Sequence, residues 1–170
     1  MITTRETYRK ACGLDWDGVG DSANMQPLLH ALARLVVEGT TGYGSYLIVD
    51  MDDVFVQFSG TPGDTELWCE AVSNAYLPKT RRLKQPQIDQ LLALGFVPPT
   101  RRPGEPSAPG TSPNFGRHVD IGTEARLYDA AQLVIEALCG VYGCARDGEM
   151  KLSLRLDVWP ATDPGEDEAA

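Results

Sequence analysis

The chain has 170 residues, a length that suits one domain with a core large enough to be stable alone. Hydrophobic residues make up 42% of it and charged residues 23%, close to ordinary globular usage, which excludes a chain that is disordered throughout. The formal net charge of −9 disfavours nucleic-acid binding, because a phosphate backbone repels such a chain unless basic residues gather on one face.

The basic residues gather at one place only, in a run that we interpret as solvated surface or as a match for an acidic peptide partner. The run comprises Lys79, Arg81, Arg82 and Lys84, with Arg101 and Arg102 further along.

Nothing in the sequence indicates secretion, a membrane span or a metal. The first residues lack an apolar signal stretch, and no run approaches the roughly 18 apolar residues that cross a membrane. The cysteines have no C-x-x-C spacing and lie far from His30 and His118 in the sequence, so we expect free thiols, no zinc and no other cofactor. We therefore expect a cytoplasmic protein without a membrane partner. The cysteines are Cys12, Cys69, Cys139 and Cys144.

Composition divides the chain into a lead-in over 1–22, a single α+β domain over 23–160 and an acidic tail over 161–170. The tail carries only acidic charge, and we expect it to be disordered.

The first half of the domain predicts a helix followed by an antiparallel meander. Leucines recur at helical spacing from Asn24 until Gly39 offers a stop. The period then changes to two over 46–49 and 54–58, which predicts two strands joined by a tight turn at 50–53. A third strand is predicted over 67–73.

The second half predicts a short helix over Pro86–Leu94, with Ile88, Leu91 and Leu92 as its apolar stripe. The proline-rich segment 98–113 predicts an exposed, mobile loop. A short strand is expected over 114–121.

Thr123 then caps a third helix whose broad apolar face ends near Gly140 and Gly143. The strict alternation over Met150–Val158 is the clearest strand signal of the chain. The predicted fold class is α+β, a meander packed against helices in the order α-β-β-β-α-(β)-α-β.

Several segments together resemble the TY-Chap group of actinobacterial proteins, which contains relatives of type III secretion chaperones and YbjN proteins. The resemblance spans residues 46–142, and the order and spacing of its segments are more specific than any one of them. They are Phe55–Phe58, Leu67–Asn74, Tyr76–Leu77, Leu94–Pro99 and Asn114–Phe115.

The resemblance implies a helix–meander–helix–strand–helix fold, often dimeric, that holds peptides or partly folded clients. It offers no catalytic residues to carry over. It also draws attention to the recurrent motif Ser73–Leu77, whose role in client binding or in shaping the strand end stays open. The lead-in, the proline-rich loop and the C-terminal strand depart from compact secretion chaperones.

The outer face of the meander is the candidate peptide-binding surface, because aromatic rings beside polar groups are typical of interaction hot spots. Packing of Trp68 and Phe55 beneath the loop or a helix of the same chain is the competing interpretation. The candidate site residues are Phe55, Gln57, Trp68, Glu70, Val72, Asn74 and Tyr76.

Two other sites receive little support. The acidic turn with Asp50, Asp52 and Asp53 has oxygen ligands for calcium but neither the glycine nor the downstream Glu of a calcium loop. Cys69 with His30 or His118 would need a base within hydrogen-bond reach, and its position in the strand indicates core instead.

The leading hypothesis is a non-enzymatic chaperone or adaptor that binds a client polypeptide on the sheet face or along an edge strand. The first alternative is a structural or regulatory subunit of a stable homo- or hetero-oligomer, a homodimer included. The second alternative is an uncharacterised enzyme, which would need His118, Asp120 and Cys69 within contact distance.

Overall fold

The structure is a computed structural model that describes residues 24–38, 45–60, 66–108 and 110–156. The predicted lead-in over 1–22 and the acidic tail over 161–170 lie outside the described residues.

Within the described residues, three α-helices and five strands follow one another in the predicted order, which confirms the α+β fold class. In chain order they are α1 (Met25–Glu38), β1 (Tyr46–Met51), β2 (Val54–Ser59), β3 (Glu66–Ala71), α2 (Gln85–Ala93), β4 (Phe115–Asp120), α3 (Glu124–Ile135) and β5 (Lys151–Arg155). A 3₁₀ turn at Lys79–Arg81 precedes α2, and a π-helical turn at Glu136–Val141 extends α3.

The five strands form one antiparallel sheet in the order β4-β3-β2-β1-β5. The predicted meander supplies its three middle strands. Because β4 and β5 lie at opposite edges, α3 connects the two sides of the sheet.

The hairpin between β1 and β2 has a two-residue turn, and both residues adopt positive φ, 51° at Asp52 and 64° at Asp53. This is the geometry of a type I′ turn, whose twist matches that of the flanking strands. Met51 and Val54 close the turn as a pair, so the turn is shorter than the four residues predicted over 50–53.

One face of the sheet is apolar and packs against the helices. On β2, for example, Val54, Val56 and Phe58 are all fully buried and belong to the same core as Leu28 and Leu32 of α1. The core side chains of the other strands are Leu47, Val49, Met51, Leu67, Cys69, Ala71, Phe115 and Val119. The helices therefore form a single layer, and the described residues place no helix over the opposite face.

The start and the end of α3 follow local rules. The Thr123 hydroxyl oxygen accepts a hydrogen bond from the backbone N–H of Arg126 at 3.2 Å, as the capping prediction required. The helix does not end at Gly140, because the π-helical turn continues to Val141 and Gly143 takes the left-handed conformation with φ of 79°.

The π-helical turn delivers Tyr142 to the core, where its hydroxyl donates to the backbone oxygen of Val72 at 2.6 Å. Burial raises the pKa of Tyr142, so the phenol stays protonated and able to donate. This contact ties α3 to the end of β3.

Two expectations about the middle of the chain were wrong in part. Leu91 of α2 is buried and Ile88 half-buried, but Leu92 is 40% exposed, because the helix meets the core along a narrower stripe than its composition suggests. The loop over 98–113 is mostly exposed, yet Ser112 and Pro113 at its end are buried, because they pack and hydrogen-bond against β3 and the residues after it.

The two edges of the sheet differ. Val97 pairs with Gly116 through two backbone hydrogen bonds and so covers part of the outer edge of β4. Among the described residues no strand pairs with the outer edge of β5. No helix of the described residues is long and apolar enough to cross a membrane.

The turn generates a stability prediction. Replacing exposed Asp53 by Gly relieves the left-handed strain of a side-chain-bearing residue, so Asp53→Gly should raise the free energy of unfolding by about 1 kcal/mol. Asp53→Ala keeps the strain and loses the tolerance that aspartate has for this conformation, so it should lower the free energy of unfolding. Urea unfolding followed by circular dichroism measures both, and equal effects of the two substitutions would contradict the turn geometry.

Candidate functional site

The face of the sheet opposite the helices is called the outer face, and its side chains come from alternate positions of every strand. Strand register aligns them in two rows across the sheet, one from Tyr46 to His118 and one from Ile48 to Gly116. The half-buried side chains on it are Tyr46, Ile48, Asp50, Phe55, Gln57, Trp68 and Glu70. Aromatic, aliphatic and polar groups therefore alternate across a surface that no described helix covers.

Trp68 is held flat on this face by its cross-strand neighbours. A Cβ atom built on Gly116 would overlap the indole ring, so the ring lies over the position where any other residue would place its side chain. His118 meets the ring edge to face, with 5.0 Å between the ring centroids. Trp68 as a whole is half-buried.

A polar network occupies the centre of the outer face. The side-chain amide of Gln57 donates to one carboxylate oxygen of Glu70, and the hydroxyl of Ser112 donates to the other. Ser112 also accepts the backbone N–H of Asn114 at 3.0 Å. Glu70 is thus engaged on both oxygens, and this network fastens the end of the loop to the sheet.

Two of the predicted site residues, Phe55 and Val72, differ in what they offer to a ligand. Phe55 is half-buried on the outer face, whereas Val72 is only 1% exposed, with its N–H donating to the carbonyl of Phe55 at 3.1 Å. The prediction of Val72 as a contact residue was wrong, because the chain turns inward after β3. The carbonyl of Val72 accepts a hydrogen bond from the hydroxyl of Tyr142.

The motif after β3 is used to hold the chain together. The side chain of Asn74 accepts from the N–H of Leu83 at 2.6 Å and donates to its carbonyl at 3.0 Å, like a peptide group of a neighbouring strand. Ser73 donates to the carbonyl of Pro113 at 2.8 Å. Tyr76, 49% exposed, keeps a surface for contacts. Asn74 therefore acts as a positioning residue rather than as a free ligand-binding amide.

Beside the outer face, at the end of the sheet, lies a cleft of about 580 Å³ that we call the loop groove. The segment 73–75 forms one side of the groove. Ile88 of α2 and Phe115 of β4 contribute to a second side, and the loop forms the rest. The loop residues that line it are Pro99, Thr100, Arg101, Arg102, Pro103, Glu105 and Pro113.

The groups that a Cys–His enzyme would need are not brought together. Cys69 is buried on the core face of β3, while His118 and Asp120 project from the outer face of β4. Burial raises the pKa of the Cys69 thiol, which keeps it protonated and a poor nucleophile. Among the described residues, no group of three or more His, Cys, Asp or Glu side chains is arranged to hold a metal ion, and this includes the acidic turn at 50–53.

The whole sheet and its helices fall within one family match. The family described as "TY-Chap3: T3SS (YopN, CesT) and YbjN peptide-binding chaperone 3" matches residues 26–155. The chain belongs to the TY-Chap3 family. The match is longer at both ends than the span of 46–142 that carries the resemblance, because it takes in α1 and β5.

Membership of TY-Chap3 makes a peptide-binding chaperone role the general function of this chain. No curated protein and no solved structure matches it. Within the described residues, the outer face and the loop groove are the candidate surfaces for binding another chain.

Two residues of these surfaces were not predicted from the sequence. Ser112 and Asn114 lie in a stretch without hydrophobic periodicity, and only the tertiary fold brings them to Glu70 and Ser73. Arg101 was predicted as part of a basic run, but its place in the groove was not. The paired arginines within the proline-rich stretch were the one signal that could have pointed to the groove.

The packing of Trp68 on Gly116 is testable. Gly116→Ala should lower the free energy of unfolding by about 1–3 kcal/mol, because the methyl group displaces the indole. Gly140→Ala is the matched control, since a methyl group there meets nothing within 4 Å. In a Trp68→Ala background the cost of Gly116→Ala should vanish, and a cost that persisted would contradict the contact.

The buried thiol gives a pH prediction. Above about pH 9 the unfolded chain loses the Cys69 proton that the folded chain retains, so stability falls as pH rises. Cys69→Ala should reduce the slope of the free energy of unfolding against pH by up to about 1.4 kcal/mol per pH unit. This change in slope is independent of any effect of the substitution on stability at neutral pH. The half-buried Cys139 serves as control, and Cys139→Ala should change the slope less. Urea unfolding at pH 8–11 measures the slope.

Proposed function

We propose that this TY-Chap3 protein is a non-enzymatic chaperone or adaptor that binds an extended polypeptide segment on its outer face. The observation that carries the proposal is the one-sided fold, in which helices bury one face of the sheet and leave Trp68 and its neighbours half-exposed on the other. Rigid aromatic groups beside satisfied polar groups are the composition of binding hot spots.

The fixed position of Trp68 favours binding in particular. Because Gly116 and His118 already hold the indole, little side-chain entropy is lost when a client packs on it. Around it, Tyr46 and Phe55 offer further ring surface, while Gln57 and Glu70 supply polar groups at the centre. A client of mixed apolar and polar residues suits this arrangement.

The edge of β5 provides a second mode of binding for the same client. Its outer backbone groups have no strand partner among the described residues, and an added strand would gain main-chain hydrogen bonds. Three free cysteines, Cys69, Cys139 and Cys144, suit a reducing compartment, which supports a cytoplasmic location. The net charge of −9 helps to keep a protein with an exposed apolar face in solution.

The alternative is a structural or regulatory subunit whose surface a second copy or a fixed partner occupies permanently. The same open edge of β5 favours it, because Leu152 and Leu154 are only half-buried there. Light scattering of the purified protein distinguishes the two. A stable dimer with Trp68 shielded from an aqueous quencher would support the subunit, and a monomer or a dimer with Trp68 accessible supports the chaperone.

Binding of a permanently unfolded probe tests the proposal directly. Fluorescein-labelled, reduced and carboxamidomethylated α-lactalbumin, whose blocked thiols carry no added charge, should bind the wild-type chain. Trp68→Ala should weaken binding by about tenfold or more, as expected for a hot-spot residue. Fluorescence anisotropy measures the dissociation constants.

The matched control is Leu92→Ala, which also truncates a partly exposed apolar side chain, 40% exposed, but on α2. It should leave the affinity unchanged. Equal affinity of wild type and Trp68→Ala for the probe would remove the outer face as the binding surface.

A further inference from the structure

Six of the fifteen basic residues of this acidic chain fall in one stretch of its sequence. Between residues 79 and 105 there are six basic and two acidic residues, a balance of +4 within a chain of net charge −9. The remainder of the chain therefore carries −13. Positive charge is local here, and its position on the fold decides what it can bind.

The fold brings both parts of this basic stretch to the groove. The double hydrogen bond between Asn74 and the backbone of Leu83 fixes residues 82–84 beside the segment 73–75, which forms one side of the groove. Arg82 and Lys84 are the exposed chain neighbours of Leu83. Arg101 and Arg102 line the groove from the loop.

Within the described residues, the two loop arginines lack a carboxylate partner for their guanidinium groups. Neither guanidinium forms an ion pair with a described residue. Glu105, the acidic residue of the groove lining, uses its carboxylate to accept the backbone N–H of Arg102 at 2.9 Å instead. Arg101 donates from Nη1 to the carbonyl of Glu105 at 3.3 Å, but its Nε is buried without any hydrogen-bond partner.

A buried donor without a partner is costly, and a carboxylate is the group that satisfies a guanidinium best. Arginine presents N–H groups in a planar fork that binds both oxygens of a carboxylate at once. Beside the arginines the groove has apolar residues, among them Ile88, Pro99 and Phe115, as well as polar ones such as Ser73 and Thr100. Its volume of about 580 Å³ lies within the range of pockets that hold a ligand. An acidic side chain with apolar neighbours fits this lining.

We propose that the loop groove selects client segments in which an Asp or Glu stands among apolar residues, with Arg101 and Arg102 binding the carboxylate. This inference rests on the proposed chaperone function and specifies its client class. The end of the loop is bonded to Glu70 of the outer face through Ser112, so the groove adjoins the surface that holds the client.

Three fluorescein-labelled peptides of about twelve residues test the selectivity. All three have the same apolar residues at the same positions. At the remaining positions the acidic peptide carries Asp and Glu, the amide peptide carries Asn and Gln, and the basic peptide carries Lys. We expect the acidic peptide to bind the wild-type chain at least about tenfold tighter than the amide peptide, and the difference to shrink as salt is raised.

The combined substitution Arg101→Gln and Arg102→Gln should abolish this preference while leaving the amide peptide bound as before. Arg126→Gln removes the same charge from an exposed position on α3 and should keep the preference. Arg102 is exposed, so Arg102→Gln alone provides a folded variant if the double one does not fold.

The outcomes separate the two proposals. Equal binding of all three peptides, or a preference that survives in the arginine variants, overturns the groove inference while the chaperone function stands. Binding of none of the peptides to a wild-type chain that also fails to bind the unfolded probe overturns both. Arginine-dependent binding of labelled single-stranded DNA, with no preference among the peptides, would assign the groove to nucleic acid and overturn the inference.

Discussion

Side chains alternate between the two faces of an antiparallel strand, and in this chain the helices pack against the same face of all five strands. Every buried Val, Leu or Phe at one position therefore places the next residue on the opposite side. A single helix layer cannot cover both faces of the sheet. The packing that builds the core on one face therefore leaves aromatic side chains at the surface of the other, namely Tyr46, Phe55 and Trp68. The outer face is thus a direct consequence of how the core is covered.

The position of the proline-rich loop depends on a small number of buried hydrogen bonds. Ser112 bonds to Glu70, Asn114 accepts the N–H of Ser73 at 3.0 Å, and Asn74 pairs with Leu83. Polar groups that leave water must find partners, and here they find them in one another. These contacts turn a segment with no periodic pattern of its own into the wall of a groove.

The sequence predicted the elements whose signal is local and periodic. The spacing of leucines in α1, the period of two in β1 and β2, and the capping of α3 by Thr123 are properties of neighbouring residues, and the structure has them. The burial of Val72 and the exposure of Leu92 depend on how distant segments meet, which no local pattern records. Of the candidate site, the aromatic outer face was predictable, but the loop groove was not, because its residues come from four separated parts of the chain.

The separation of charge gives the two surfaces different physical tasks. Within about 10 Å, the distance over which salt leaves charges unscreened, the net charge of −9 repels strongly acidic chains. Within the groove, Arg101 and Arg102 form no ion pair with a described residue, and in the proposed selection they bind a single carboxylate at contact distance. Specificity is a difference between affinities, and this arrangement disfavours uniformly acidic segments as much as it favours an acidic residue within an apolar one. In the proposed function, the outer face supplies the affinity that one carboxylate alone would not give.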